Sequence, residues 1–472
     1  MADDTFDVII IGGGPGGYVA AIRAAQLGLR TAVAERSHLG GICLNWGCIP
    51  TKALLRSAEL RDQFGVAERF GLHADGLRVD TGGVVEHSRR AAAQLTRGVD
   101  GLLKKNKVTV LWGSAEITAP GTIRIGETDA QRPRGANGPG EYSARHIIVA
   151  TGARPRTLPG LEPDKERVWT YFEAMVPTEI PRTLAVVGSG AIGAEFASFY
   201  RSMGSEVTLI EALPQILPAE DEDIARIVRK DFEGRGIAVK TGASVGGATH
   251  TDNSVTLTVT TEEGSEDITA ERVISAIGVV GNVEGFGLEA LGVEIERGTI
   301  LADGFGRTNV EGLYAIGDVA GPPMLAHKAQ HEGIVCVEAI AGGTPDPVDP
   351  DKVPACTYCS PQVASVGLTE AAAREAGYEV KTGRFPMIGN GKAVVLGETG
   401  GLMKTVFDAD SGRLLGAHLV GPEVTELIQG FVIALNMEAR EKDLAHTIFP
   451  HPTLSEAMHE AILGAGSGTI HI

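Results

Sequence analysis

Two cysteines stand close together in the run Gly40-Gly-Ile-Cys43-Leu-Asn-Trp-Gly-Cys48-Ile-Pro-Thr-Lys52. That spacing can close a small disulfide ring. Pro50, followed by the helix-forming run Lys52 to Leu60, puts Cys48 close to a helix N-terminus. There the macrodipole lowers a thiol pKa and favours thiolate, the reactive species. A zinc site would need further ligands at fitting spacing, and none lies nearby in the sequence. Lys52, one turn after Cys48, places a cation near this redox pair. A second pair, Cys356-x-x-Cys359, has the thioredoxin-type spacing, but Pro361 and the strand-like Val363-Ala-Ser-Val-Gly367 follow where a helix should begin, so these read as structural thiols. His327 and His331 sit four apart on a predicted helix with no third ligand in reach, which predicts a packed helix face in place of a metal site.

The elements that position the redox pair show an internal echo. Val8-Ile-Ile-Ile11 runs into Gly12-x-Gly14-x-x-Gly17, and Leu184-Ala-Val-Val187 runs into Gly188-x-Gly190-x-x-Gly193. Each apolar run reads as a buried parallel strand and each glycine turn opens an Ala-rich helix, stopping near Gly28 and Gly204. A second strand follows in each copy, Thr31 to Glu35 and Glu206 to Glu211, ending on an acid at the same interval. In such a loop the first glycine makes the turn, the second lets the backbone approach a pyrophosphate, and the third lets helix pack on strand. Glu35 and Glu211 are then placed for an adenosine ribose, so two copies imply two dinucleotides. Glu211 would repel a 2′-phosphate, and Ala212 to Pro218 offers no Arg to receive one, which favours NAD over NADP.

Punctuation sets the boundaries: Thr151 to Gly160 separates the two nucleotide units, and the proline-rich Gly343 to Pro354 precedes a last α+β segment. In that segment Leu402 to Phe407 and Leu414 to Val420 predict a hairpin, with helices near 423–437 and 453–463. Arg132 to Gly140 reads as a loop between two strands. The expected organisation is α/β: residues 1–150 and 151–280 as two Rossmann-like dinucleotide-binding domains, 281–350 as a central domain, and 351–472 as a C-terminal α+β dimerisation domain.

Glycine is abundant, 63 of 472 residues, nearly twice the usual ~7%. The formal net charge of −18 argues against nucleic acid and anionic membrane surfaces. The best candidate for a membrane span, Val8 to Ile22, carries the glycine turn in its middle and does not suit one. Five cysteines are too few and too odd for a structural disulfide framework. With the acidic opening Met1-Ala-Asp-Asp4, this predicts a cytoplasmic protein, a mature organellar form being the alternative.

The cysteine run, the two fingerprints, Ala150-Thr-Gly152-Ala-Arg-Pro155, Gly312-Leu-Tyr-Ala-Ile-Gly317-Asp318 and His451-Pro-Thr-Leu-Ser-Glu456 together resemble the class I pyridine nucleotide-disulfide oxidoreductases, in family order over essentially the whole chain. The resemblance implies FAD on the first fingerprint and NAD on the second. It implies that Asp318 binds the ribitol side of the flavin, that Lys52, Ala115, Gly152 and Ala326 line the rest of that site, and that Val245 and Gly278 line the NAD site. By the same resemblance Cys43 is the interchange thiol and Cys48 the thiol against the flavin. His451 is the base, Glu456 orients it, and Lys52 pairs with Glu195. Thr453-Leu-Ser-Glu456 is also a capping box, so Glu456 serves the helix, the histidine, or both; the orienting role is preferred because a neutral His base needs a partner.

The implied activity is NAD-linked oxidation of protein-bound dihydrolipoamide by a homodimer. Its implied partners are the lipoyl domains and core acyltransferase of a 2-oxoacid dehydrogenase complex, or a glycine cleavage complex. A glutathione-reductase-like enzyme is the rival that Glu211 opposes. A mercuric-reductase-like enzyme would carry cysteines near Gly464 to Ile472, which this chain lacks. A flavin-bearing binding subunit without turnover would have little use for the cysteine pair. The chain departs from the family at Val279 and Gly281, where many relatives carry Arg and Pro.

Overall fold

The computed structural model describes residues 5–73 and 75–472; the acidic opening Met1–Asp4 lies outside the described residues. The chain forms two compact units. The first comprises residues 1–53, 83–156 and 279–350, and the second residues 54–82, 157–278 and 351–472.

In the first unit, strand Thr5–Ile11 pairs in parallel with Thr31–Glu35 on one side and Gly140–Val149 on the other. Strand Thr109–Trp112 extends one edge, the antiparallel Ala115–Ala119 and Thr122–Ile125 the other, and Leu313–Ala315 also joins Gly140–Val149, making seven strands. Both faces of the central strand are covered, which explains its unbroken apolar run: Val8, Ile9 and Ile10 are wholly buried. Each such side chain contributes roughly 1.5–3 kcal/mol on leaving water. Helix Pro15–Gln26 lies against helix Ala326–Ile340 at a crossing of small residues, where a Cβ on Gly333 would stand 2.8 Å from the Gly16 carbonyl oxygen.

The second unit repeats the plan with five parallel strands in the order Ala238–Lys240, Glu206–Ile210, Thr183–Val187, Arg272–Ser275, Val168–Trp169. The acid-bearing strand stops at Ile210, so Glu211 follows it. An antiparallel meander, Ser244–His250, Val255–Thr261 and Gly264–Ala270, is inserted before the last long strand. The C-terminal segment is a five-stranded antiparallel sheet covered by helices Val424–Asn436 and Glu456–Ala465. Strand Val380–Pro386 presses so closely on the second of these that any Cβ on Gly383 would overlap the Ala461 carbonyl oxygen.

Two expectations need correction. His327 and His331 are both exposed, because helix Ala326–Ile340 buries Lys328, Ala329, Gly333 and Val335 to Val337 instead. The helix bearing Cys48 is also longer than its sequence signal, running Cys48–Val66. Pro50 falls in its first turn, where a missing N–H costs nothing.

Candidate active site

Cys43 and Cys48 form a disulfide with Cα atoms 4.7 Å apart. Cys43 belongs to the short helix Gly41–Trp46, and Cys48 is the first residue of the long helix. The chain between them and just beyond Cys48 is braced from helix Thr81–Lys105. Arg89 donates to the Asn45 carbonyl at 2.7 Å and stacks over Trp46, Thr96 donates to the Asn45 side chain at 2.9 Å, and Ser88 donates to the Pro50 carbonyl at 3.1 Å. Asn45 itself is buried and donates back to Leu39 and Gly41. Burial lowers the Arg89 pKa. Lys52 sits partly buried in the first turns of the long helix.

The glycine loops separate into two kinds of glycine. At Gly12, with φ +109°, a Cβ would overlap the Ala150 carbonyl oxygen, and at Gly17 it would overlap the carbonyl of Gly12. The second copy matches: Gly188, with φ +96°, faces the Ala276 carbonyl, and Gly193 faces the carbonyl of Gly188. The protein's own backbone demands those four glycines. Gly14 and Gly190 differ, since a Cβ on Gly14 would come no closer than 3.9 Å to anything and one on Gly190 would meet nothing within 4 Å. These two are also the N-cap residues of helices Pro15–Gln26 and Ala191–Met203, and neither offers a side-chain cap. An open backbone cradle at an uncapped helix N-terminus suits a pyrophosphate.

Both terminal acids are held by the turn they follow. Glu35 accepts from Gly13 N at 2.8 Å and Ser37 N at 2.7 Å. Glu211, only 7% exposed, accepts from Ser189 N at 2.9 Å, Ser189 Oγ at 2.7 Å and Leu213 N at 2.9 Å. A carboxylate so fixed presents its remaining lone pairs in one direction.

Of the other residues singled out, Ala115 opens its strand and is buried, Gly152 takes φ +68° in the turn after Val149, and Ala326 opens its helix. Asp318 lies in the turn Gly317–Ala320, and burial pushes its carboxyl up, with Lys328 opposing. Val245 sits beside a bulge in the meander and Gly278 takes φ +99°. Glu195 is 5% exposed on helix Ala191–Met203 and accepts from Tyr358 N at 2.9 Å. Lys52 and Glu195 fall in different units. Gly281 forms part of strand Val279–Gly281, paired with Ala153–Pro155, and a Cβ there would overlap the Gly298 carbonyl oxygen. That close approach accounts for glycine at this position.

In the second unit, His451 Nδ1 meets Glu456 Oε1 at 2.9 Å, while Glu456 Oε2 accepts from Thr453 N at 2.9 Å. Glu456 therefore orients the histidine and serves the helix entry together. Burial pushes its carboxyl up, but the Thr453 amide and then His451 outweigh that and hold it below the ordinary carboxylate range. An ionised carboxylate only accepts, so Nδ1 carries the proton and Nε2 is left as the basic nitrogen. The His451 side chain is 78% exposed. Cys356 and Cys359 are free thiols, and burial pushes Cys359 far up, as expected of an inert group.

Residues 6–333 match the family described as pyridine nucleotide-disulphide oxidoreductase, and residues 353–462 match its dimerisation domain. The chain belongs to this family. It is 58% identical to the dihydrolipoyl dehydrogenase of Rhizobium etli, with 98% of each chain covered, and 52% identical to that of Zymomonas mobilis, with 99% of each covered. Among solved structures it is similar to LpdA from Mycobacterium tuberculosis, at TM-score 0.88 and 29% identity, with 97% of this chain and 99% of that one covered. The flavoprotein disulfide reductase RclA from Escherichia coli is also similar, at TM-score 0.83 and 26% identity, with 97% and 99% covered.

For a member of this family, sequence reasoning passed over the supports of the site. Lys328, 5% exposed, donates to the Gly321 carbonyl and pairs with Glu332, both at 2.9 Å, and Glu332 accepts from Gly317 N at 2.7 Å. Together they clamp the turn carrying Asp318. Their Lys-x-x-x-Glu spacing was visible but reads as an ordinary exposed helix pair. Asn45, Arg89 and Ser88 carry no local signal, since their contacts join distant parts of the chain.

Proposed function

We propose that this protein oxidises dihydrolipoamide carried on lipoyl domains and reduces NAD, the activity for which its relatives are named. FAD fits the first cradle and NAD the second, because Gly14 and Gly190 keep open the space that no part of the protein requires. Held there, FAD would supply the two-electron redox chemistry that links the thiols to nicotinamide, and NAD would supply the hydride acceptor.

The chain's own residues perform the thiol chemistry. His451 Nε2 takes a proton from one substrate thiol, with Glu456 holding the imidazole and stabilising its charge. The substrate thiolate attacks Cys43 Sγ and breaks the Cys43–Cys48 bond, leaving Cys48 as thiolate at its helix N-terminus. The second substrate thiol displaces Cys43, which takes up a proton as the cyclic lipoyl disulfide departs. Lys52, in the first turns of the helix that Cys48 opens, supplies a cation beside the redox pair. Glu211 accepts from the adenosine ribose and excludes a 2′-phosphate.

His451 comes to Cys43 from the other subunit of a homodimer. Support comes from the dimerisation-domain match and from apolar side chains left exposed around that segment: Ile448 at 94%, Met437 at 76%, Val395 at 67%. The partners proposed are the lipoyl domains and core acyltransferase of a 2-oxoacid dehydrogenase complex. Three free cysteines beside one disulfide suit a cytoplasmic location.

The observation that carries this reading is the Cys43–Cys48 disulfide on the same unit as the first glycine cradle. NADH formation from dihydrolipoamide and NAD tests it: wild type should turn over and Cys43→Ser should not. Faster reduction of glutathione disulfide with NADPH than oxidation of dihydrolipoamide with NAD would reject it.

A further inference from the structure

The C-terminal sheet has two unlike faces. The cross-strand row Phe385, Met403, Leu419, Ala364 is apolar and belongs to the core beneath the two helices. The adjacent row, Arg384, Lys404, His418, Ser365, is polar and by strand alternation points the other way. Lys404 is 3% exposed and His418 is 1%. A buried lysine is costly without partners, and this one has three. Its Nζ lies 2.8 Å from Asp221 Oδ1, 2.8 Å from Asp223 Oδ2 and 3.0 Å from Glu370 Oε2. Arg384 completes the cluster against Asp223 and Glu370.

Asp221 closes the segment that begins at Glu211. It is the N-cap of helix Glu222–Gly234, accepting from Asp223 N at 3.0 Å. Between the two acids, Leu213 N donates to Glu211, Leu217 N donates to the Ser189 carbonyl at 3.1 Å, and Gln215 donates to the Glu220 carbonyl at 3.0 Å. Leu217 is buried with φ +47°, a conformation that a leucine keeps only where its surroundings impose it. The loop is thus tied to the glycine turn at one end and to Lys404 at the other.

We infer that Lys404, acting through Asp221, is a positioning residue for the second nucleotide site, holding the 211–221 loop so that Glu211 meets the adenosine ribose. This rests on the reading that Glu211 is the ribose acceptor. Removing the anchor should weaken the adenosine half of NAD without disturbing the flavin. ADP-ribose binding to the holoenzyme, measured by calorimetry, is the test, since it needs no turnover. Lys404→Met should lower affinity by roughly two- to thirtyfold, the span of couplings transmitted through packed networks. Asp221→Ala leaves Lys404 paired with Asp223 and Glu370, so it tests the same anchor should the lysine variant fail to fold. In both, the flavin absorption spectrum should match wild type. Glu211→Ala is the control. Loss of affinity there but none in Asp221→Ala overturns the anchor alone, and no loss in either overturns the ribose assignment with it.

Discussion

Replacing Glu456 by Gln exposes the double duty of that carboxylate. Glu456 accepts from His451 Nδ1 and Thr453 N at once, each at 2.9 Å. A glutamine has one acceptor oxygen and one donor nitrogen in the same two places. If its oxygen stays on Thr453 N, its NH2 faces His451 and selects the tautomer protonated at Nε2, which cannot take a thiol proton. If it flips, the histidine is served and the Thr453 amide faces an NH2 group, losing a hydrogen bond of about 1 kcal/mol and leaving two donors opposed. The exposed histidine yields more easily than the backbone, so the first arrangement should prevail. General base assistance is worth about 10²–10⁴-fold, and Glu456→Gln should lower kcat with dihydrolipoamide by at least the smaller of these. Rapid-mixing reduction by dihydrolipoamide isolates this step from NAD reduction, while the flavin spectrum and thermal midpoint should stay near wild type. A rate within about twofold of wild type would refute the orienting role.

Glu211→Ala should narrow the NAD-over-NADP preference, read as the ratio of kcat/KM values; equal efficiency of wild type with both would misplace the ribose contact. Burial raises the Glu220 carboxyl from 4.5 to about 7, which at 1.36 kcal/mol per unit is on the order of 3 kcal/mol. The neutral form is favoured in the fold, so this cost is absent below pH 4.5, grows to pH 7 and stays constant above it. Glu220→Gln should therefore raise the thermal midpoint above pH 7 and leave it unchanged in acid, and no gain above pH 7 would contradict the burial argument. Glu370 behaves oppositely: burial raises it, but Lys404 and Arg374 outweigh that and hold it at about 2. Its stabilisation, present above pH 4.5, should fade as pH falls toward 2, and Glu370→Gln should flatten that limb of the acid unfolding curve. Reassembling Cys43→Ser with His451→Ala subunits should restore about a quarter of wild-type activity, because half of randomly paired dimers are mixed and each has one intact site; verified heterodimers without activity would return His451 to its own subunit.

The two nucleotide cradles were legible because a buried parallel strand writes an unbroken apolar run and the glycines follow from backbone contacts close in sequence. The separate role of the second glycine in each loop was legible too: in the fold Gly14 and Gly190 are the members of their loops that no protein atom crowds, as a pyrophosphate cradle requires. The two functions of Glu456 were readable as alternatives; only geometry reveals that its two oxygens serve both. The bracing of Asn45 by Arg89 and Thr96, and the Lys404 cluster, escaped because each joins elements far apart in the chain. His327 and His331 were assigned to a packed face because a helical pair at that spacing marks a shared face, but not which face meets the core.

Electrons are proposed to enter at Cys43 and leave through Cys48 to the flavin, and anaerobic reduction of the holoenzyme with one equivalent of dihydrolipoamide tests this most directly. Wild type should develop a thiolate-to-flavin charge-transfer absorption beyond the ordinary flavin bands, and Cys48→Ser should lack it. Persistence of that absorption in Cys48→Ser, or its absence from the wild type, would contradict the proposed path.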